Sequence, residues 1–161
     1  MALDDDIARL AAAPVFGLLG HDALRLLTFA AEQRSLAAGE TLFRRGDPSD
    51  GGYVVLSGLV ALTGAGGETL AGPAALIGRS ALFAPAPRPA TATGRRPGTL
   101  LRVSPTVMRR VLEEFPEAHR AVRAALADDL EALGAGLRAV GRRLDALAEP
   151  GITGSSDRRV P

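Results

Sequence analysis

The sequence predicts a mainly β fold with flanking helices: an antiparallel β-roll, jelly-roll-like, followed by a long C-terminal helix. Three observations carry that expectation. Between Ser35 and Val103 the chain is a series of short apolar runs broken by turn residues, the texture of many short antiparallel strands. Before and after that region the apolar residues recur at spacings of three and four, the helical period. Residues 77–91 (IGRSALFAPAPRPAT) then place a glycine, a short helical turn, a proline-rich loop and an arginine close together.

The elements follow in order. Residues 5–13 and 21–32 read as two short helices separated by Pro14-Val15-Phe16-Gly17. In the second, Leu24, Leu27 and Ala31 share a face, and Asp22 is favourable in the first turn because the helix dipole is positive there. Strands are expected at roughly 35–44, 52–56, 59–63, 68–71, 75–77, 90–94 and 98–103. The breaks between them are Ala38-Gly39, the run from Gly46 to Gly51, Ser57-Gly58, the run from Gly64 to Gly67, and Arg96-Pro97-Gly98. Gly39 and Gly46 suit turn positions of positive φ. Ser104 is an N-cap residue type with Pro105 at the first helical position, so a helix begins there. Pro116 restarts it, giving pieces at 105–114 and 116–149, and Pro150-Gly151 stop it. The expected division is N-terminal helices over 1–33, the roll over 34–104, C-terminal helices over 105–149 and a disordered tail over 150–161.

Composition excludes several function classes. At 161 residues the chain is long enough for a real core. Net charge is +1, so no basic field argues for nucleic acid, and all nineteen basic residues are Arg. Cysteine is absent, which removes disulfides, thiolate metal sites and thiol nucleophiles. His21 and His119 are the sole imidazoles and lie far apart, so neither a metal site nor a nucleophile–base pair can be assembled. No catalytic residue and no metal ligand is expected, and the protein reads as non-enzymatic. The amino terminus is acidic without a long apolar run, and no stretch is long enough to span a bilayer, so a cytoplasmic protein is expected.

Residues 77–91 carry the strongest chemical signal. The first turn of a helix offers free backbone N–H groups to an anion, and an arginine nearby adds hydrogen bonds to phosphate. Gly78, Arg79, Ser80, Ala81, Arg88 and Ala90 are therefore the candidate phosphate-binding residues. The alternative for Arg88 is a surface arginine in a proline-rich loop. The order Gly-x-x-Ala-Leu, a short loop, then Pro-Arg-x-Ala-Thr resembles the phosphate-binding cassette of cyclic nucleotide-binding domains. Gly39-Glu40, Phe43, Gly46-Asp47, Asp50, Tyr53-Val54-Val55 and Ser57-Gly58 also fall in the order seen at the start of that family's β-roll.

The resemblance implies a roll of the cyclic nucleotide-binding kind, of the catabolite-activator-like sensor type, with ligand between the cassette and the long helix. It implies a possible ligand class of cyclic nucleotide or another phosphorylated molecule, and no other cofactor. Two positions depart from the pattern. The family has a Glu after the glycine, holding the ribose 2′-hydroxyl, where this chain has Arg79. A charge-assisted bond of that kind is worth roughly 1.5–3 kcal/mol. The residue after the family's arginine supplies a hydroxyl and an N–H; Pro89 has neither. Three outcomes stay open: weak binding of an ordinary cyclic nucleotide, binding of a more highly charged anion to Arg79 and Arg88, or a relic site with Arg79 in solvent. Many bacterial members carry a helix-turn-helix behind the helix. Residues 150–161 leave no room for one, so a stand-alone chain without direct DNA binding is expected.

The second signal is in the long helix. Leu126, Leu130, Leu133, Leu137, Val140, Leu144 and Leu147 alternate spacings of four and three, an a/d seam beside the small residues Gly134 and Gly141. A homodimer paired through this helix is expected; the alternative is a helix that covers its own roll. The favoured function is a regulatory sensor that binds a phosphorylated nucleotide-like ligand and signals through the helix to a protein partner, not identified by the sequence. The competing reading is a ligand-free structural or adaptor module that dimerises and docks on a partner.

Overall fold

A computed structural model describes residues 2–128. The chain divides into two compact units, Met1–Val122 and Arg123–Pro161, and the fold below is that of the first. It opens with α1 (Ala2–Ala12), a 3-10 turn at Phe16–Leu18 and α2 (His21–Ala30). Six strands follow: β1 (Glu32–Leu36), β2 (Thr41–Phe43), β3 (Gly52–Gly64), β4 (Gly67–Ala71), β5 (Leu76–Ile77) and β6 (Ala90–Val103). A 3-10 turn at Ser80–Leu82 lies between β5 and β6, and α3 (Pro105–Glu114) closes the series. Residues 116–128 are helical beyond it.

The sheet is built on β3 and β6, which pair antiparallel along almost their full length. Each is bent midway and changes partners there. The first part of β3 pairs with β5 and the second part with β4. The last part of β6 pairs with β1 and the first part with β2. Two four-stranded halves sharing the long β3–β6 pair make the expected antiparallel roll.

Here the structure corrects the strand boundaries. Ser57-Gly58 and Arg96-Pro97-Gly98 are not loops between strands; they lie inside β3 and β6 as register shifts. Such bulges bend a strand without ending it. The approach of the two strands explains the composition: a Cβ on Gly98 would overlap the Ser57 carbonyl oxygen. The run expected at 35–44 divides into β1 and β2 at Gly39, where φ is +82°. The second helix also ends earlier than expected, because Ala31 is already extended (φ −79°, ψ 159°) and Glu32 pairs with Arg102 in β1.

The interior of the roll is filled by Leu36, Leu42, Tyr53, Val55, Val60, Ala71, Ile77, Ala92 and Leu100. Val54, Leu101 and Val103, at the alternate positions of the same strands, are buried too. Side chains of a strand alternate between faces, so both faces of this part of the sheet are covered. Leu10, Phe16, Leu27, Leu82, Met108, Val111 and Val122 are the large, fully buried side chains of the described helical elements. At α3 the expected cap is present: Ser104 Oγ accepts from Val107 N–H at 3.2 Å, and Pro105 occupies the first turn. Phe115 breaks the helical run before Pro116, as the proline requires. Leu126 lies in the helical stretch 116–128, whereas Leu130, Leu133, Leu137, Val140, Leu144 and Leu147 lie outside the described residues, as does the 150–161 tail.

Candidate functional site

The proline-rich loop is extended and runs antiparallel along the turn after β2. Arg88 N–H donates to Asp47 O at 2.8 Å, Gly46 N–H to Arg88 O at 2.8 Å, and Ser49 N–H to Ala86 O at 3.0 Å. Ala86 N–H donates to Ser49 Oγ at 2.9 Å, and Pro48 and Pro87 form a bridge between the two segments. The alternation Pro85-Ala86-Pro87-Arg88-Pro89 accounts for this. In an extended chain every second N–H points the same way, and proline has none. The donors at Ala86 and Arg88 meet the 46–49 turn, while the opposite edge is proline throughout and leaves no N–H unpaired. Arg88 is thus fixed by its own N–H and C=O.

Its side chain runs inward. Arg88 is 3% exposed, against the expectation for an arginine in a surface loop. Nη2 donates to Gly51 O at 2.8 Å and to Asp50 Oδ1 at 3.2 Å. The guanidinium carbon lies 4.2 Å from the Phe43 ring centre and 5.6 Å from that of Tyr53, within cation–π range of both. Nε and Nη1 are buried and have no hydrogen-bond partner among the described residues. Gly78 closes the site from the other side. A Cβ there would stand 2.7 Å from Nη1, and φ is +78°, a conformation that favours glycine.

Asp50 is shared. Its Oδ2 is 3.3 Å from Arg102 Nη1, which also donates to the Asp50 carbonyl at 2.9 Å. Arg102 Nη2 donates to Glu32 Oε2 at 2.9 Å. Glu32, Arg102 and Tyr53 are register neighbours across β1, β6 and β3, so the pair is a cross-strand one. The hydrogen bond to Glu32 is the main cause that raises the Arg102 pKa above its ordinary value. Burial, then the nearby Asp50 charge, raises the Tyr53 phenol.

The remaining sequence candidates are placed as follows. Arg79 and Ser80 are exposed, Arg79 at the N-cap of the 3-10 turn and Ser80 as its first residue. Ala81 is buried, and its N–H donates to Gly78 O at 3.0 Å. That N–H is therefore engaged inside the turn. Ala90 begins β6 opposite Gly64. The charge picture changes as well: Arg79 and Arg88 do not simply present two positive charges, because Arg88 already has a carboxylate counter-ion. Asp50, Gly51 and Phe43 were not picked out as site residues from sequence. Asp50 and Phe43 stood in the matching order of residues, but nothing local tied them to an arginine 37 residues or more downstream.

A profile of the cyclic nucleotide-binding domain matches residues 33–115, which takes in the strands from the second residue of β1 onward, the cassette and α3. The chain belongs to the cyclic nucleotide-binding domain family. Among solved structures it is similar to the N-terminal domain of a transcriptional regulator from Streptomyces coelicolor A3(2), with 34% identity over 80% of this chain and 94% of the other, at a TM-score of 0.72. A cyclic nucleotide-binding-like protein from Brucella abortus is 36% identical over 68% of this chain and 99% of its own, at 0.61. The Thermus thermophilus catabolite activator protein is 27% identical over 80% of this chain and 63% of its own, at 0.64. No protein with a curated description matches. At Arg88 the cassette meets the 46–51 turn through Asp50 and Gly51, and the rings of Phe43 in β2 and Tyr53 in β3. No described helix is long and apolar enough to cross a membrane.

Proposed function

We propose that this cyclic nucleotide-binding domain is a non-enzymatic regulatory sensor whose anion site is centred on Arg88. In this reading Gly78, Arg79, Ser80 and Ala90 border the site, and the ligand is a phosphorylated, nucleotide-like molecule. The observation that carries it is the pair of buried donors on Arg88, Nε and Nη1, without a partner among the described residues. A buried unsatisfied donor costs about 1–3 kcal/mol, more when charged, and a phosphate oxygen relieves that cost. The residues present suit a phosphate better than a ribose: Arg79 offers no acceptor to a 2′-hydroxyl, and Pro89 no donor. The output in this reading passes through the C-terminal helix to a protein partner, with the Leu126–Leu147 seam as the dimer contact. Ligand binding shifts that output only if it favours one helix arrangement over another.

A second reading has its own observation. Arg88 is already held by Asp50, Gly51 O and Phe43, as a structural plug would be in a ligand-free adaptor. Calorimetry and thermal shift with cyclic mononucleotides, cyclic dinucleotides and nucleoside phosphates separate the two, each protein being compared with its own unliganded state. A sensor gives heat and a raised Tm with at least one of these, lost in Arg88→Ala. No response to any of them at millimolar concentration leaves the adaptor. Sedimentation as a monomer at tens of micromolar removes the dimer from either reading.

A further inference from the structure

We propose that Asp50 is a built-in counter-ion that competes with an incoming anion for Arg88, and that Arg102 and Glu32 set how strongly it competes. This rests on the reading of Arg88 as an anion site and concerns how that site is regulated.

The four side chains form a line of alternating charge, Glu32–Arg102–Asp50–Arg88, with contacts of 2.9, 3.3 and 3.2 Å in turn. Their formal charges cancel, so the arginine meets a ligand without a net positive field behind it. The two ends differ in exposure. The Arg88 side chain is 2% exposed, whereas the Asp50 side chain is 65% exposed and so is not locked in place by packing. Arg88 does not depend on the Asp50 carboxylate for its position. Gly51 O accepts from the same Nη2 at the shorter distance of 2.8 Å, Phe43 backs the guanidinium, and the backbone of residue 88 is bonded at both N–H and C=O. What the carboxylate adds is mainly charge, of the same sign as the ligand. Arg102 moderates it, being bonded both to the Asp50 carbonyl and to Glu32.

Each member then has a definite sign. Asp50→Asn removes the competitor, and affinity rises about tenfold for a singly charged anion. Coulomb repulsion is proportional to ligand charge, so the gain for a doubly charged anion is about the square, on the order of a hundredfold. Glu32→Gln leaves Arg102 to bear on Asp50 alone, which weakens the competitor at longer range: affinity rises roughly two- to threefold. Arg102→Gln gives Asp50 wholly to Arg88, and affinity falls about tenfold. A network that only braced the loop would lower affinity in all three.

The experiment is calorimetric titration of the full chain and of the three variants with 3′,5′-cyclic AMP, which carries one charge, and with adenosine 5′-monophosphate, which carries two at mildly alkaline pH. Variant-to-wild-type ratios cancel the difference in shape between the probes. The expected result is a gain in Asp50→Asn, larger for the monophosphate, with opposite changes in Glu32→Gln and Arg102→Gln. If the wild type binds and Asp50→Asn binds equally or more weakly, the counter-ion role is overturned and the anion site stands. If neither probe binds any of the four proteins, the anion site falls and the competitor with it. Should Asp50→Asn fail to fold, the opposite signs of the Glu32 and Arg102 variants decide; changes in the same direction overturn the proposal.

Discussion

The contact between Gly78 and Arg88 makes Gly78→Ala a measurable test of how the cassette is built. Two costs arise. Ala must adopt φ near +78°, where an L-residue loses about 1–2 kcal/mol, of which its smaller freedom in the unfolded chain returns about 0.4–1. The new methyl also stands 2.7 Å from Arg88 Nη1, and the guanidinium has little room to retreat between the Phe43 ring and its bonds to Gly51 and Asp50. Moving it sacrifices one charge-assisted hydrogen bond, about 1.5–3 kcal/mol. The sum is about 2–4 kcal/mol, a fall in Tm of roughly 8–15 °C for a unit of this size. The assay is urea and thermal unfolding of wild type, Gly78→Ala, Arg88→Met and the double variant. With the guanidinium removed, the contact cost disappears and the backbone cost of about 1 kcal/mol stays, so the two changes couple by about 1.5–3 kcal/mol. Additivity within about 0.5 kcal/mol would refute the contact, and a neutral Gly78→Ala would refute both costs.

The other outcomes are simpler to read. Gly98→Ala drives a methyl into the Ser57 carbonyl at the irregular stretch of the β3–β6 pair, and the chain is expected not to fold; a soluble variant with native circular dichroism contradicts that close approach. Ser104→Ala removes the α3 cap and costs about 1 kcal/mol in urea unfolding, with no change expected for Thr106→Ala beyond about 0.5 kcal/mol. Tyr53 is the single tyrosine, so ultraviolet titration reports it alone. Its folded pKa lies above the unfolded value of 10.0, chiefly through burial, so the folded state holds the proton longer. The stability this contributes is fully present below pH 10.0 and declines as pH rises through the folded value. Tyr53→Phe should flatten that alkaline decline, and a titration midpoint at or below 10.0 would contradict the burial.

Period and punctuation carried most of the fold. Tyr53 and Val55 alternate as a strand should and point into the roll, and Ser104-Pro105 starts a helix on the expected residue. The misread boundaries share a cause: Ser57-Gly58 and Arg96-Pro97-Gly98 are turn-rich in composition, yet a matching irregularity in the neighbouring strand keeps the ladder running through them. A single strand cannot reveal that, because a bulge is a property of the pair. The site was legible along the chain and not across it. Gly78 and Arg88 stand in one short segment with a recognisable order, so their pairing could be anticipated. The partners of the guanidinium come from the 43–53 region, and the charge that neutralises it is moderated from β1 and the end of β6. Those links depend on strand order, which periodicity does not encode. The inward turn of Arg88 was hidden for the same reason, since proline spacing shows which edge lacks donors but not which way a side chain goes.

The fold itself does not require a guanidinium at residue 88. Its backbone is anchored through N–H and C=O whatever the side chain, and the proline edge is satisfied by its own chemistry. Phe43 and Tyr53 would pack as well against a methionine or leucine. Against that, Arg88 brings two buried donors that nothing in the described residues satisfies, each a cost of about 1–3 kcal/mol. A structural plug is therefore an expensive use for this residue, and an adaptor with no ligand gains nothing from the expense. The cost is explained if an oxygen-rich anion is bound during part of the protein's working cycle. Arg79 and Pro89 then bear on which anion that is, by withdrawing an acceptor and a donor at its margin. Asp50 bears on a different quantity, the affinity, because it offers Arg88 a carboxylate when the anion has left.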